Sequence, residues 1–222
     1  MNRRLMMGQQ NKGFELVYNS SSGTLPTEQG WKFEYWIYGQ VHNKYGIQTM
    51  ENNVLNVCVG HVYENCSYVI ADKPIAKNCE ISVTVDNTIG LTVSSRMGIL
   101  LTDGEKAIEL VFRPISGYLL LTNNANDIYI GFKWRTYLGT QTSFTLKARL
   151  ENGVVSVWLN DKLMTTISDL YDVSEIYTGI THTNAGNPLY SGGAFLFANV
   201  RNSVAFATEG TYLVTQLTYK EW

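Results

Sequence analysis

Between residues 143 and 167 the chain spells out three strands and the two turns that join them, and this stretch constrains the fold more than any other. Phe144-Thr145-Leu146-Lys147-Ala148-Arg149-Leu150 alternates apolar and polar residues, as a strand with one buried face requires. Glu151-Asn152-Gly153 follows, and Asn-Gly supplies the positive φ angles of a tight hairpin turn whose twist matches its strands. Val155, Val157 and Leu159 form the returning inward face, and Asn160-Asp161 turns the chain again into Leu163-Met164-Thr165-Thr166-Ile167. The expectation is a three-stranded meander, dry on one face and wet on the other, as antiparallel sheets commonly are.

The same period of two recurs along the chain. In Trp31-Lys32-Phe33-Glu34-Tyr35-Trp36-Ile37-Tyr38 the residues Trp31, Phe33, Tyr35 and Ile37 share one face. Shorter strands are expected at Phe14–Tyr18, Val54–Val59, Ser67–Ala71, Glu80–Asp86, Leu91–Leu101 (broken near Ser94-Ser95) and Ala107–Arg113. Others follow at Tyr118–Thr122, Ile128–Lys133, Gly193–Arg201 and Thr211–Lys220. Only Ser168 to Tyr177 reads as helical, and for a single turn. A dozen or more short strands between turn signals, with no repeat of fixed spacing, predict a sandwich or barrel in one unit. The 222 residues suit a single all-β domain and bury a full core without disulfide or metal staples. With 45% hydrophobic and only 16% charged residues, and with 14 Tyr, 8 Phe and 5 Trp, the composition favours sheet over helix or disorder.

Charge and cysteine usage exclude several classes. A formal net charge of −2 offers no basic field for a polyphosphate, so nucleic acid is not an expected partner. No apolar run approaches the ~18 residues that a membrane-spanning helix needs. Cys58, Cys66 and Cys79 are few and odd in number, unlike an extracellular disulfide framework. They read as buried reduced thiols, with a bridge from Cys58 or Cys66 to Cys79 left open. Their spacings of eight and thirteen residues contain no CxxC, which argues against zinc. The opening Met1-Asn2-Arg3-Arg4-Leu5-Met6-Met7 begins like a signal peptide but lacks its apolar stretch and cleavage site, so export by this segment is not expected.

Four stretches, in order, resemble the concanavalin A-like lectin/glucanase (laminin-G-like) superfamily. Gly23-Thr24-Leu25-Pro26-Thr27-Glu28-Gln29-Gly30-Trp31 is similar to the opening of many such domains. Arg96-Met97-Gly98-Ile99-Leu100-Leu101-Thr102-Asp103-Gly104 with Ile108-Glu109-Leu110-Val111-Phe112 resembles their central hairpin. Val157-Trp158-Leu159-Asn160-Asp161 resembles their Asn-Gly-ended strand, with Asp161 where Gly is more usual. Gly210 to Tyr219 resembles their final core strand. The resemblance covers about residues 14 to 220 and implies an all-β, two-sheet antiparallel jelly-roll sandwich. In many members the concave face or its rim binds glycans, while others are hydrolases or assembly modules.

A glycosidase needs two carboxylates about 5–10 Å apart. The glucanase branch of the fold sets them on one strand as Glu-x-Asp-x-(x)-Glu, and that spacing is absent here. Glu105 and Glu109 stand four apart, roughly 13 Å on a strand. Asp169, Asp172 and Glu175 read as solvated or capping groups. His42, His61 and His182 have no Ser, Cys or carboxylate companion in motif spacing, so no catalytic residue is expected. Thr102-Asp103-Gly104 and Asn123-Asn124-Ala125-Asn126-Asp127 carry the oxygen ligands that calcium favours, but they equally suit tight turns, and no metal or other cofactor is assigned.

Sugar binding needs an aromatic face beside amide and hydroxyl groups. Trp134, Arg135 and Tyr137 offer this at a strand end, and His182, Asn184, Asn187 and Tyr190 offer it in the longest polar stretch. Trp36 and Tyr38 are further candidates. The expected organisation is an N-terminal arm, residues 1–12, before a sandwich of residues 13–222. A polar arm without a core of its own orders most readily against a neighbouring subunit, so Arg3, Arg4, Leu5, Met6 and Met7 are candidate assembly contacts. That opening is also similar to those of structural proteins of phages from gut bacteria. A virion setting, assembled in host cytoplasm, reconciles a lectin-like fold with free thiols and no export signal; an extracellular protein exported without a signal peptide is the alternative. The expected function is a non-enzymatic structural or adhesion module that binds glycans, with other virion or surface subunits, or copies of itself, as partners. The alternatives are a free carbohydrate-binding module and, after it, a glycoside hydrolase.

Overall fold

The structure is a computed structural model that describes residues 13–37, 40–41, 47–59, 66–71, 78–93, 95–102, 107–125, 128–168, 203–207 and 210–222. Among the described residues, sixteen strands form two antiparallel sheets of eight. In chain order they are β1 (Glu15–Asn19), β2 (Lys32–Ile37), β3 (Gln40–Val41), β4 (Ile47–Glu51), β5 (Val54–Val59), β6 (Cys66–Ile70), β7 (Cys79–Ile89) and β8 (Arg96–Thr102). Then follow β9 (Ala107–Arg113), β10 (Tyr118–Ala125), β11 (Ile128–Tyr137), β12 (Phe144–Glu151), β13 (Val154–Leu159), β14 (Lys162–Ile167), β15 (Ser203–Ala207) and β16 (Gly210–Glu221). The first sheet runs β14-β13-β12-β7-β16-β5-β4, with β1 also on β16, and the second runs β11-β10-β9-β8-β15-β6-β2-β3.

The anticipated meander is present. Asn152 and Gly153 turn at φ +50° and +78°, and Asn160 and Asp161 turn at +49° and +61°. The Asn160 side chain reinforces the second turn, its Oδ1 accepting from Thr145 N at 2.8 Å. A third turn of this kind joins β4 to β5 through Asn52 and Asn53, at +51° and +61°. Strands β3, β4 and β15 were not anticipated, and the expected strand at 193–201 and single turn at 168–177 lie outside the described residues, save Ser168. A 3-10 turn, Pro26–Gln29, links β1 to β2 and carries the chain into buried Trp31. Gln29 Nε2 ties that connection together by donating to Ser22 Oγ at 2.7 Å and Thr24 Oγ1 at 2.8 Å.

The core lies between the sheets and is built by alternation. Phe144, Leu146, Ala148 and Leu150 of β12 bury with Val155, Val157 and Leu159 of β13 and with Ile81, Val83 and Val85 of β7. The second sheet answers with Met97, Ile99 and Leu101, Leu110 and Phe112, Leu119 and Leu121, and Val204 and Phe206. Along β16 the inward residues run Tyr212, Val214, Leu217 and Tyr219, and a register shift against β7 between Val214 and Gln216 accounts for the three-residue step. Cys79 is a free thiol buried in this core, so no bridge to Cys79 is formed. Burial, and secondarily the Glu221 carboxylate, push that thiol up to about 12. Burial also raises the Tyr212 phenol well above its ordinary value, with the charge of buried Arg96 pulling weakly the other way.

Candidate functional site

In a paired sheet, residues directly opposite share a face. The register of the second sheet therefore sorts its residues into those facing the core and those turned away from the first sheet. Arg113 of β9 lies opposite Tyr118 of β10, which lies opposite Tyr137 of β11. This outward row ends on an edge strand, where the Tyr118 and Tyr137 rings stand 5.2 Å apart and 59° tilted. Tyr137 is 66% exposed. The next outward row is Val111, Leu120 and Arg135. Leu100, Val111 and Leu120 are buried on this outer face, outside the core between the sheets, and among the described side chains the exposed aromatic of this face is Tyr137 at the edge.

Two short segments hold the tyrosine pair in place. The turn 114–117 leads into Tyr118, with Gly117 N donating to Arg113 O at 2.8 Å. The segment after Tyr137 folds back on that turn: Leu138 N donates to Gly117 O at 2.8 Å, Gln141 N to Pro114 O at 2.9 Å, and Thr140 Oγ1 to Ile115 O at 2.9 Å. Backbone held on both sides fixes where the two strands present their rings, so the strand ends need not be ordered when a ligand binds. The faces of the pair suit the C–H side of a sugar ring, and the hydroxyl of the exposed Tyr137 suits the ring's oxygen substituents.

Strand alternation divides the cluster read from Trp134, Arg135 and Tyr137. Position 135 pairs with Leu120 and shares the outward face with Tyr137, while position 134 pairs with Leu121, whose side chain lies in the core. Position 36 pairs with Cys66, on the same outward face as Glu34. Tyr38, His182, Asn184, Asn187 and Tyr190 lie outside the described residues, as do Arg3, Arg4, Leu5, Met6 and Met7, the three histidines and Glu105. Tyr118 and Arg113 were missed because their relation to Tyr137 is made by cross-strand pairing; the only sequence signal was the tight Pro114-Ile115-Ser116-Gly117 turn between two apolar strands.

Carboxylates are sparse on this face. Among the described strands of the second sheet, the outward positions hold Glu34 on β2 and Glu109 on β9. Four interstrand steps separate β2 from β9, or about 19 Å at ~4.8 Å per step. Among the described residues no group of three or more His, Cys, Asp or Glu is placed to hold a metal ion.

No protein-family model matches the chain, and no curated protein matches it significantly. Solved structures do resemble it. One is a structure reported with endo-acting O-glycanases that members of the human gut microbiota express to initiate mucin breakdown; it shares 10% identity at a TM-score of 0.59, over 93% of this chain and 98% of that one. The Emp46p carbohydrate recognition domain, in a potassium-bound form, shares 9% identity at a TM-score of 0.54, over 92% of this chain and 95% of that one. A laminarinase from Flavobacterium sp. UMI-01 shares 10% identity at 0.51, over 92% and 98%. At these identities the likeness is one of fold, and both carbohydrate-recognition and glycosidase domains share it. The architecture of this chain is the concanavalin A-like jelly-roll sandwich.

Proposed function

We propose that the protein is a non-enzymatic adhesion module that binds glycans at the edge of its second sheet, through Tyr118 and Tyr137 with Arg113 alongside. The observation that carries this reading is the exposed Tyr137 ring, paired with Tyr118 and braced by the turn 114–117. The kinship in fold with carbohydrate-recognition and glycosidase domains supports a sugar ligand. The absence from the sequence of the Glu-x-Asp-x-(x)-Glu spacing supports binding without hydrolysis. The test is a glycan array with the wild type and Tyr137→Ala, beside a reducing-end assay on laminarin and on mucin. Binding that falls with Tyr137→Ala, without release of reducing ends, supports the reading; reducing ends released in proportion to protein overturn its non-enzymatic part.

The module acts, in this proposal, on the surface of a virion or comparable assembly, with residues 1–12 contacting a neighbouring subunit. Its odd cysteine count and the buried, unbridged Cys79 favour a protein assembled in a reducing compartment. Light scattering on the whole chain and on a deletion of residues 1–12 tests this placement. Assembly of the former and not the latter is expected, and two monomers make the free carbohydrate-binding module the better reading.

A further inference from the structure

The first sheet also has a face turned away from the core, and at one end of it stands a ladder of cations and indoles. Lys147 and Arg149 of β12 flank Trp158 of β13, with Lys147 Nζ 4.6 Å and Arg149 Cζ 5.5 Å from the ring centroid. Arg149 also lies over the ring of Trp222, 5.3 Å from its centroid. The guanidinium is itself held, Nε donating to Glu80 Oε2 at 2.8 Å with Nη2 2.7 Å from the same oxygen. Trp222 Nε1 donates to Glu151 Oε1 at 3.2 Å. Its backbone N–H reaches Asn78 O at 3.5 Å, and Asn78 Oδ1 accepts from Asn152 N at 2.9 Å.

Trp222 is thus fixed from three directions, yet the residue remains 45% exposed. An indole serving the core would be covered, and one left to solvent would keep its rotamers. A ring held in one orientation with much of its surface open is preorganised for a flat apolar partner. Polar groups border it: the Glu151 carboxylate, the exposed Asn152 at the hairpin turn, Asn78 and Arg149. Apolar ring beside carboxylate, amide and guanidinium matches the two-sided chemistry of a pyranose, whose C–H face stacks while its hydroxyls take hydrogen bonds.

We propose that Trp222, with Glu151, Asn152 and Arg149, forms a second sugar-binding surface on the outer face of the first sheet, separate from the tyrosine pair and selective for a pyranose ring. This rests on the reading of the chain as a glycan-binding module. Because the two surfaces lie on different sheets, one chain holds two saccharides facing different ways and can cross-link a multivalent glycan.

The test titrates laminarin oligosaccharides and released mucin O-glycans into the whole chain and into Tyr137→Ala, Trp222→Ala and the double variant, by calorimetry. Thermal melts confirm that each is folded. Two sites per chain are expected in the wild type, one in each single variant and none in the double variant. Trp222→Phe, which keeps a ring and loses the N–H that Glu151 holds, is expected to retain the site at an affinity lowered by about twofold to tenfold, as ordering one freed side chain at ~0.5–1.5 kcal/mol implies. A Trp222→Ala protein that titrates as the wild type overturns the second surface and leaves the glycan-binding reading standing. So does a Tyr137→Ala protein that binds nothing. A wild type that binds none of the probes overturns both.

Discussion

Phe112 of the second sheet and Phe144 of the first meet edge to face across the core, ring centroids 4.7 Å apart and planes at 83°. Both rings are buried, and each comes from a strand whose alternate residues point outward, so the contact couples the two sheets. Phe112→Ala is expected to cost about 3–5 kcal/mol in urea unfolding. A double-mutant cycle with Phe144→Ala is expected to return a coupling of ~0.5–1.5 kcal/mol. Strictly additive losses would show that the sheets are joined by area alone.

Cys79 supplies a chemical readout of core integrity. Its thiol, held up to about 12 by burial and then by Glu221, is protonated at pH 8 and has no access to a reagent. Iodoacetamide at pH 8 should leave the Cys79 peptide unmodified in the native protein and label it fully in denaturant. Native labelling as fast as in denaturant would contradict the described packing.

The buried phenols make the fold sensitive to base. Tyr18 is pushed up to about 12 by burial, and Tyr212 is also shifted upward, chiefly by burial. The unfolded chain ionises both near 10, whereas the folded chain retains their protons. Their contribution is therefore whole below pH ~10 and is lost as the pH climbs towards 12. Tyr212 Oη is buried without a hydrogen-bond partner among the described residues, so Tyr212→Phe removes an unmet polar group. That variant should be as stable as the wild type at pH 8 or more stable by up to about 2 kcal/mol. It should also lose less melting temperature than the wild type between pH 8 and pH 11. An equal or larger alkaline loss would contradict the assignment.

Two glycines with similar backbone angles should respond differently to alanine. Gly153 turns at φ +78° with nothing within 4 Å of an added Cβ, so Gly153→Ala should cost only the left-handed strain, about 1–2 kcal/mol. Gly117 turns at φ +72°, and a Cβ there would stand 2.6 Å from the carbonyl carbon of Gly139. Gly117→Ala should cost more than Gly153→Ala by a further ~1–3 kcal/mol, because rigid backbone must move. It should also disturb the bracing of Tyr118 and Tyr137. Chemical denaturation of both variants gives the comparison, and equal losses would contradict it.

Local chemistry explains which features were legible in the sequence. Alternation and positive-φ turn residues act over a few neighbours, so β12, β13 and β14, their turns and the inward faces of β12 and β13 could be read directly. Strand β4 was missed although Asn52-Asn53 marks its turn, because Ile47-Gln48-Thr49-Met50-Glu51 has little apolar contrast. Strand β15, Ser203-Val204-Ala205-Phe206-Ala207, is short and rich in small residues, and only its place between β6 and β8 makes it central. The site depended on pairing across strands. Tyr137 was visible as an aromatic at a strand end, but the register that sets Tyr118 and Arg113 beside it is fixed by contacts distant in sequence. Trp222 carried no local signal either, because Arg149 and Glu151 lie more than seventy positions away.

The most direct test of the account is a calorimetric titration of the array-selected glycan into the wild type and Tyr137→Ala, with thermal melts of both. Tyr137 is 66% exposed, so its loss should move stability by little more than the ~0.5–1.5 kcal/mol of the ring pair. The account predicts saturable binding to the wild type and the loss of one binding site in a variant that remains folded. A wild type that binds no glycan, or a variant that titrates identically to it, would contradict the account.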